Sequence, residues 1–225
     1  MSRPPEAAPR TITLSEHESK QRLAAIGVPV APERLVRDAG EAVRAAQALG
    51  FPVAVKLCGR AIAHKTERGL VRLGLGDEAA VRAAALEMLA AARPDDGEVG
   101  VLVSRMVSGK RELIAGVATD RTFGPCVMLG IGGIFTEALA DVVFRLAPLE
   151  RADATEMIDD LRHRAWLDAF RGEPPVDRDR LADVLVGLGR LASEDASIVS
   201  IDLNPLIVAD GVPTAVDALI EVRVA

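Results

Sequence analysis

The sequence has no tyrosine, one tryptophan and five phenylalanines. So few rings leave little with which to stack single-stranded bases. Basic charge is also in deficit, with 27 Lys and Arg against 33 Asp and Glu and a formal net charge of −6. A broad nucleic-acid surface needs dense Lys and Arg on one face, so nucleic acid is not expected as a partner. Cysteine is scarce: Cys58 and Cys126 each sit in an apolar run, and neither belongs to a C-x-x-C pair. Two such residues make no disulfide framework and read as buried, reduced thiols. Long apolar runs are missing too. The longest, from Cys126 to Phe135, is too short to span a membrane and carries three glycines. The start Met1-Ser2-Arg3-Pro4-Pro5-Glu6 has no apolar signal core. The expectation is a cytoplasmic protein with no membrane segment.

What the sequence does have is enough apolar material for a core. Of its 225 residues 49% are hydrophobic and 27% charged, which suits one large domain or two small lobes. Ser15 and Glu18 form a capping box that predicts a helix ending before Gly27. Asp38 with Glu41 opens a second helix, stopped at Gly50. A short strand over 53–57, a polar loop over 59–68 and a strand over 69–75 follow. Asp77 caps a third helix that runs to Arg93, and 99–103 is another strand. Beyond it, strands are predicted over 112–118, 125–131 and 141–146, and helices over 152–161 and 178–192. Two closing strands are predicted over 198–203 and 214–218. Strands in consecutive runs predict an α+β (α/β) fold rather than a regularly alternating parallel sheet. The expected division is a tail over 1–13, one lobe over 14–109 and a second over 110–225.

Several residues could carry chemistry. Lys56 ends an apolar run, which predicts an ammonium emerging at a strand edge, either snorkelling to water or meeting a polyphosphate. The segment His64-Lys65-Thr66-Glu67-Arg68-Gly69 reads as a solvated loop or a phosphate cover, although it is no Walker motif. Gly132 and Gly133 follow a strand, where glycine implies close backbone approach to a ligand or to another strand. Asn204 and Asp217 end or occupy neighbouring late strands. Together their oxygens would suit Mg²⁺, and separately they would serve as turn and strand-end residues. Glu112 is equally open. There is no G-x-S-x-G elbow and no G-x-G-x-x-G opening a helix.

In order along the chain, however, these pieces form a series. It comprises Leu14-Ser15-Glu16-His17-Glu18-Ser19-Lys20, Val53-Ala54-Val55-Lys56, His64-Lys65-Thr66, Phe123-Gly124-Pro125, Gly132-Gly133-Ile134-Phe135-Thr136-Glu137, Phe144-Arg145-Leu146-Ala147-Pro148-Leu149 and Asp202-Leu203-Asn204-Pro205. The series resembles the ATP-grasp (β) subunit or domain of the ADP-forming acyl-CoA synthetases, relatives of the succinyl-CoA ligase β subunit. The resemblance implies an ATP-grasp fold whose two lobes enclose a nucleotide site. It implies ATP or ADP as ligand, contacted by Lys56, Lys65, Gly69, Ser104, Met106, Glu112, Gly132 and Gly133. It further implies Mg²⁺ on Asn204 and Asp217, and a phosphohistidine relay through His64. It also implies a CoA-binding α-type partner in a hetero-oligomer, without which this subunit is inactive.

Two positions depart from the pattern. Ser104-Arg105 stands where relatives carry a Gln-Glu pair near the adenine and ribose, and Leu70 stands where a second glycine often follows the covering loop. On these grounds a non-catalytic module with the same fold is the rival reading. A carboxylate–amine ligase of the same fold is a third, and it would have no use for a loop histidine.

Overall fold

The computed structural model describes residues 10–62, 65, 67–120, 122–133, 140–169 and 171–224. Two antiparallel sheets organise them. The smaller has the order β2 (Glu33–Val36), β5 (Val99–Arg105), β3 (Val53–Gly59), β4 (Val71–Leu75). The larger has the order β1 (Thr11–Thr13), β11 (Leu219–Arg223), β9 (Ile198–Ala209), β6 (Arg111–Asp120), β7 (Gly124–Ile131), β8 (Val142–Leu146), with β10 (Val212–Ala215) paired to β9. The chain crosses from one sheet to the other between Arg105 and Arg111.

Each sheet is covered on one face by helices whose apolar spacing matches it. In α2 (Ala39–Leu49) the buried residues Ala39, Ala42, Val43 and Ala46 fall at i, i+3, i+4 and i+7. In α3 (Glu78–Ala90) Val81, Ala84, Ala85 and Met88 repeat that stripe. The two helices pack over Val53, Val55, Leu57, Val101 and Val103, alternate residues of β3 and β5. On the larger sheet, α4 (Arg151–Asp159) and α5 (Arg178–Glu194) cover Leu113, Ala115, Val127, Leu129 and Leu203. The opposite face of that sheet bears Asp202, Asn204, Phe144 and Leu146, all exposed. Among the described residues no helix is long and apolar enough to cross a membrane.

The helices start where their caps predict. Ser15 and Glu18 make both bonds of the capping box on α1 (Glu16–Ala25), and Asp38 and Asp77 accept from the third residue of their helices. Two strands lack a local signal. Residues 11–13, expected in a tail, form β1, because pairing with β11 supplies partners that the segment cannot find locally. The short edge strand β2 pairs only with β5. The strand expected over 198–203 continues to Ala209 through a bulge: three residue steps on β9, from Leu203 to Leu206, face two on β6, from Ala115 to Leu113. That extra residue absorbs Asn204-Pro205 without breaking the sheet. Further on, β10 ends at Ala215, and β11 is a separate strand whose Ile220 and Val222 enter the core. Finally, Leu14 and Leu23, which flank and lie in α1, join the core of the larger sheet although α1 precedes the smaller one in sequence.

Candidate functional site

Lys56 corrects the expectation of an edge position. It lies inside β3, an interior strand buried on both faces, and is itself only 7% exposed. Burying an ammonium requires partners, and they come from distant segments. Its Nζ donates to Glu16 Oε1 at 2.6 Å and to the Val216 carbonyl at 3.0 Å, with Asp217 Oδ2 at 3.9 Å. Lys56, Ala54 and Ser104 share the sheet face turned away from α2 and α3, as the register of β3 on β5 requires.

That face forms one wall of a cleft of about 290 Å³. Ala54, Lys56, Val71, Leu73 and Ser104 come from the smaller sheet, and Met106 and Val107 from the crossing segment. Glu112, Pro205, Ile207, Val216 and Asp217 close it from the other side. Apolar walls with a few polar groups converging at one end are the usual make-up of a small-molecule site. Of the residues singled out by sequence, Lys56, Ser104, Met106, Glu112 and Asp217 line this cleft. Two larger hollows, of about 560 and 700 Å³, lie along α1 and β2. They are more open and do not collect these groups.

The other expected residues stand in varied relation to the cleft. Lys65 reaches it through Asp217, whose Oδ1 accepts its Nζ at 3.0 Å, and it also pairs with Glu16. Burial pulls the Lys65 ammonium's pKa down, but Glu16 and Asp217 outweigh this and hold it above the ordinary lysine value. Gly132 donates its N–H to the Glu112 carbonyl at 2.8 Å, and a Cβ on it would meet the Glu112 backbone at 3.0 Å. The close approach is thus to a neighbouring strand. Gly133, at φ +82°, lies against the Glu112 carboxylate, with 3.6 Å from its ideal Cβ position to Oε2. Gly69 has φ +68° with open space around it, a conformation suited to glycine. His64 lies outside the described residues.

The two departures read differently in three dimensions. Leu70 is 1% exposed, its side chain packed in the core of the smaller sheet and not in the cleft. Ser104 is buried, and its hydroxyl lies 3.4 Å from Glu33 Oε2. Of the thiols, Cys58 is buried while Cys126 is only half-buried, which corrects the expectation for the latter.

The fit to a divalent cation can be tested on the carboxylates. Desolvation, and then the negative charge of Asp217, push the Asp202 carboxyl up. A carboxyl whose proton affinity is raised by a neighbouring carboxylate's charge favours a cation beside it. Asn204 lies two residues beyond Asp202 on the exposed face of β9, and the Val216 amide, next to Asp217, donates to the Pro205 carbonyl at 3.3 Å. Among the described residues no cluster of three or more His, Cys, Asp or Glu forms a closed metal cage. Few protein oxygens, completed by ligand oxygens, are what Mg²⁺ prefers. The donor set therefore fits Mg²⁺. Sequence reasoning missed Asp202, for which the D-x-N spacing with Asn204 was the available signal. It also gave no role of its own to Glu16, which appears in the sequence only within the helix start and the Leu14–Lys20 motif.

The ATP-grasp domain family matches residues 7–222. The chain is 39% identical over 208 residues to the beta subunit of acetate–CoA ligase (ADP-forming) I of Pyrococcus furiosus, covering 91% of this chain and 90% of that one. It is 36% identical over 197 residues to acetate–CoA ligase (ADP-forming) I of Archaeoglobus fulgidus, covering 87% of this chain but only 29% of that longer protein. Among solved structures, a Ca. Korarchaeum cryptofilum dinucleotide forming acetyl-coenzyme A synthetase 1 superposes with a TM-score of 0.79 at 38% identity, covering 92% of each chain. That structure holds coenzyme A and Mg-AMPPCP, with its phosphohistidine segment pointing towards the nucleotide binding site.

Proposed function

The chain belongs to the ATP-grasp domain family, and from that premise we propose that it is the nucleotide-binding subunit of an ADP-forming acid–CoA ligase. It exchanges phosphoryl between ATP or ADP and a histidine relay that ends in acyl phosphate and acyl-CoA on a CoA-binding α-type partner. The observation that carries this reading is the convergence of Lys56, Glu112 and Asp217, from both sheets, on one apolar-walled cleft. The reading divides the chain into two lobes, one on each sheet, and the pairing of β1 with β11 and the packing of Leu14 and Leu23 in the larger core support placing β1 and α1 with the larger sheet.

Phosphoryl transfer asks a protein chiefly for positioning and charge neutralisation. The apolar stretch of Val71, Leu73, Met106 and Ile207 takes the base, and Lys56 and Lys65 meet the phosphates. Asp202, Asn204 and Asp217 would hold Mg²⁺, which when bound supplies Lewis-acid neutralisation of phosphate oxygens. His64 takes the phosphoryl group: its imidazole forms a P–N bond as the P–O bond to ADP breaks. Leu70 does not enter the cleft, because its side chain lies in the core of the smaller sheet.

The test uses the full chain, with and without its CoA-binding partner, and radiolabelled ATP. Wild type is expected to acquire an acid-labile, base-stable label and pass it on. His64→Ala should bind Mg·ATP normally and pass none. Lys56→Ala should weaken Mg·ATP binding roughly 10- to 100-fold, the scale of one charge-assisted hydrogen bond. Transfer at the wild-type rate by His64→Ala would overturn the relay, and unchanged affinity in Lys56→Ala would overturn the cleft.

A further inference from the structure

Glu16 is 4% exposed, and its carboxylate serves three lysines. Oε1 accepts Lys20 Nζ at 2.8 Å and Lys56 Nζ at 2.6 Å, while Oε2 pairs with Lys65. Lys20 is also held by Glu33 Oε2 at 2.8 Å. The cluster is balanced, with Lys20, Lys56 and Lys65 against Glu16, Glu33 and Asp217.

The three lysines are not equivalent. Lys20 is 1% exposed, one turn from Glu16 on the same helix, and does not line the cleft. Lys56 lines the cleft, and Lys65 bonds Asp217, which also lines it. Lys20 alone would satisfy a carboxylate buried for stability, and a buried ion pair is in general a weak source of stability. Glu16 instead reaches from a helix packed on the larger sheet to a strand of the smaller sheet and to the loop beyond it. A long, flexible lysine side chain loses rotamer entropy when it is fixed, and ordering it before a ligand arrives removes that cost from binding.

We propose that Glu16 is a positioning residue for nucleotide phosphates, acting from α1 to hold the Lys56 and Lys65 ammoniums at the cleft. The inference rests on the nucleotide reading above. It sets Glu16 apart from Lys20, which steadies the same cluster without serving the ligand. Because Glu16 acts through ammoniums that meet phosphate, its loss has a signature that general loosening of the fold lacks: affinity falls for the phosphate-bearing ligand and not for the bare nucleoside.

The experiment titrates the full chain with Mg·AMPPCP and, separately, with adenosine, for wild type, Glu16→Gln, Glu16→Asp and Lys20→Met, each checked for thermal unfolding. Glu16→Gln should weaken Mg·AMPPCP about tenfold, or about 1.4 kcal/mol, and leave adenosine within twofold. Glu16→Asp keeps the charge but withdraws it by one methylene, so it should show the same selective loss and covers the case in which the amide variant fails to fold. Lys20→Met should lower the melting temperature yet leave both affinities within twofold. Wild-type Mg·AMPPCP affinity in both Glu16 variants would overturn the proposal, as would a parallel loss of adenosine or the same selective loss in Lys20→Met. Failure of wild type itself to bind Mg·AMPPCP would instead sink the nucleotide reading, and this inference with it.

Discussion

Asp96 and Arg68 form a two-pronged pair, with bonds of 2.7 and 2.8 Å, and the Arg93 amide donates to the same carboxylate at 2.8 Å. The Arg68 guanidinium, and then that amide, hold the Asp96 carboxyl at about 2, below its ordinary 3.8. A carboxyl whose pKa is depressed by folding stabilises the native state above the unfolded-state value, and the gain is lost as pH falls through the folded value. The window here runs from about pH 4 down to about pH 2. Asp96→Asn should therefore unfold more readily than wild type in urea at pH 7, and the gap should close as pH falls through that window. A gap constant from pH 7 to pH 2 would count against the pair as the cause. Because the charge of Asp217 helps raise the Asp202 carboxyl, Asp217→Asn should move the Asp202 titration to lower pH, read by carboxyl NMR without added metal. No movement would mean that the two carboxylates do not share a site.

At the scale of elements, the contact between β6 and the end of β7 fixes where Glu112 sits. Gly132 crosses the β6 backbone so closely that a Cβ would lie 3.0 Å from the Glu112 carbonyl carbon and 3.1 Å from that of Leu113. Both contacts are to backbone, which cannot rotate away. Gly132→Ala should cost about 1–3 kcal/mol, the usual range for overpacking, measured by denaturant unfolding. It should also weaken Mg·nucleotide binding, because Glu112 would shift with its strand. A neutral effect on both would show that β6 and β7 can separate freely. The bulge on β9 works similarly. By absorbing Asn204-Pro205 it keeps Leu203 and Leu206 in the core while Asp202 and Asn204 stay on the open face.

For the whole molecule, two hydrophobic cores meet across a polar seam. The hydrogen bonds from Lys56 to Glu16 and from Lys56 to Val216 cross it. A ligand bound between two sheets stabilises only the folded chain, by about 2.7 kcal/mol at a free concentration one hundred times its dissociation constant. Saturating Mg·AMPPCP should accordingly raise the melting temperature, and AMPPCP with excess chelator should raise it less. Equal shifts with and without the metal would argue against Asp202, Asn204 and Asp217 as its ligands.

The sequence by itself determined the elements whose signals are local. Capping residues Ser15, Asp38 and Asp77 start their helices by bonding amides three residues on, and apolar stripes at helical spacing decide which face is buried. Motif order identifies the family, and the resemblance in turn points to Lys56, Glu112 and Asp217, which line one cleft. Only the tertiary structure decided what depends on pairing across long stretches of chain. Residues 11–13 become a strand because β11, some two hundred positions away, offers an edge. Lys56 is interior because β4 and β5 flank β3 on both sides, a fact no local pattern carries. Leu70, which reads as an intrusion on the phosphates, turns into the core because its N–H and C=O are tied back to Lys65 and Leu57. Glu16, a mere helix-start residue in one dimension, becomes the hub of three lysines because folding places α1 between the two sheets, where a buried carboxylate and buried ammoniums must find one another.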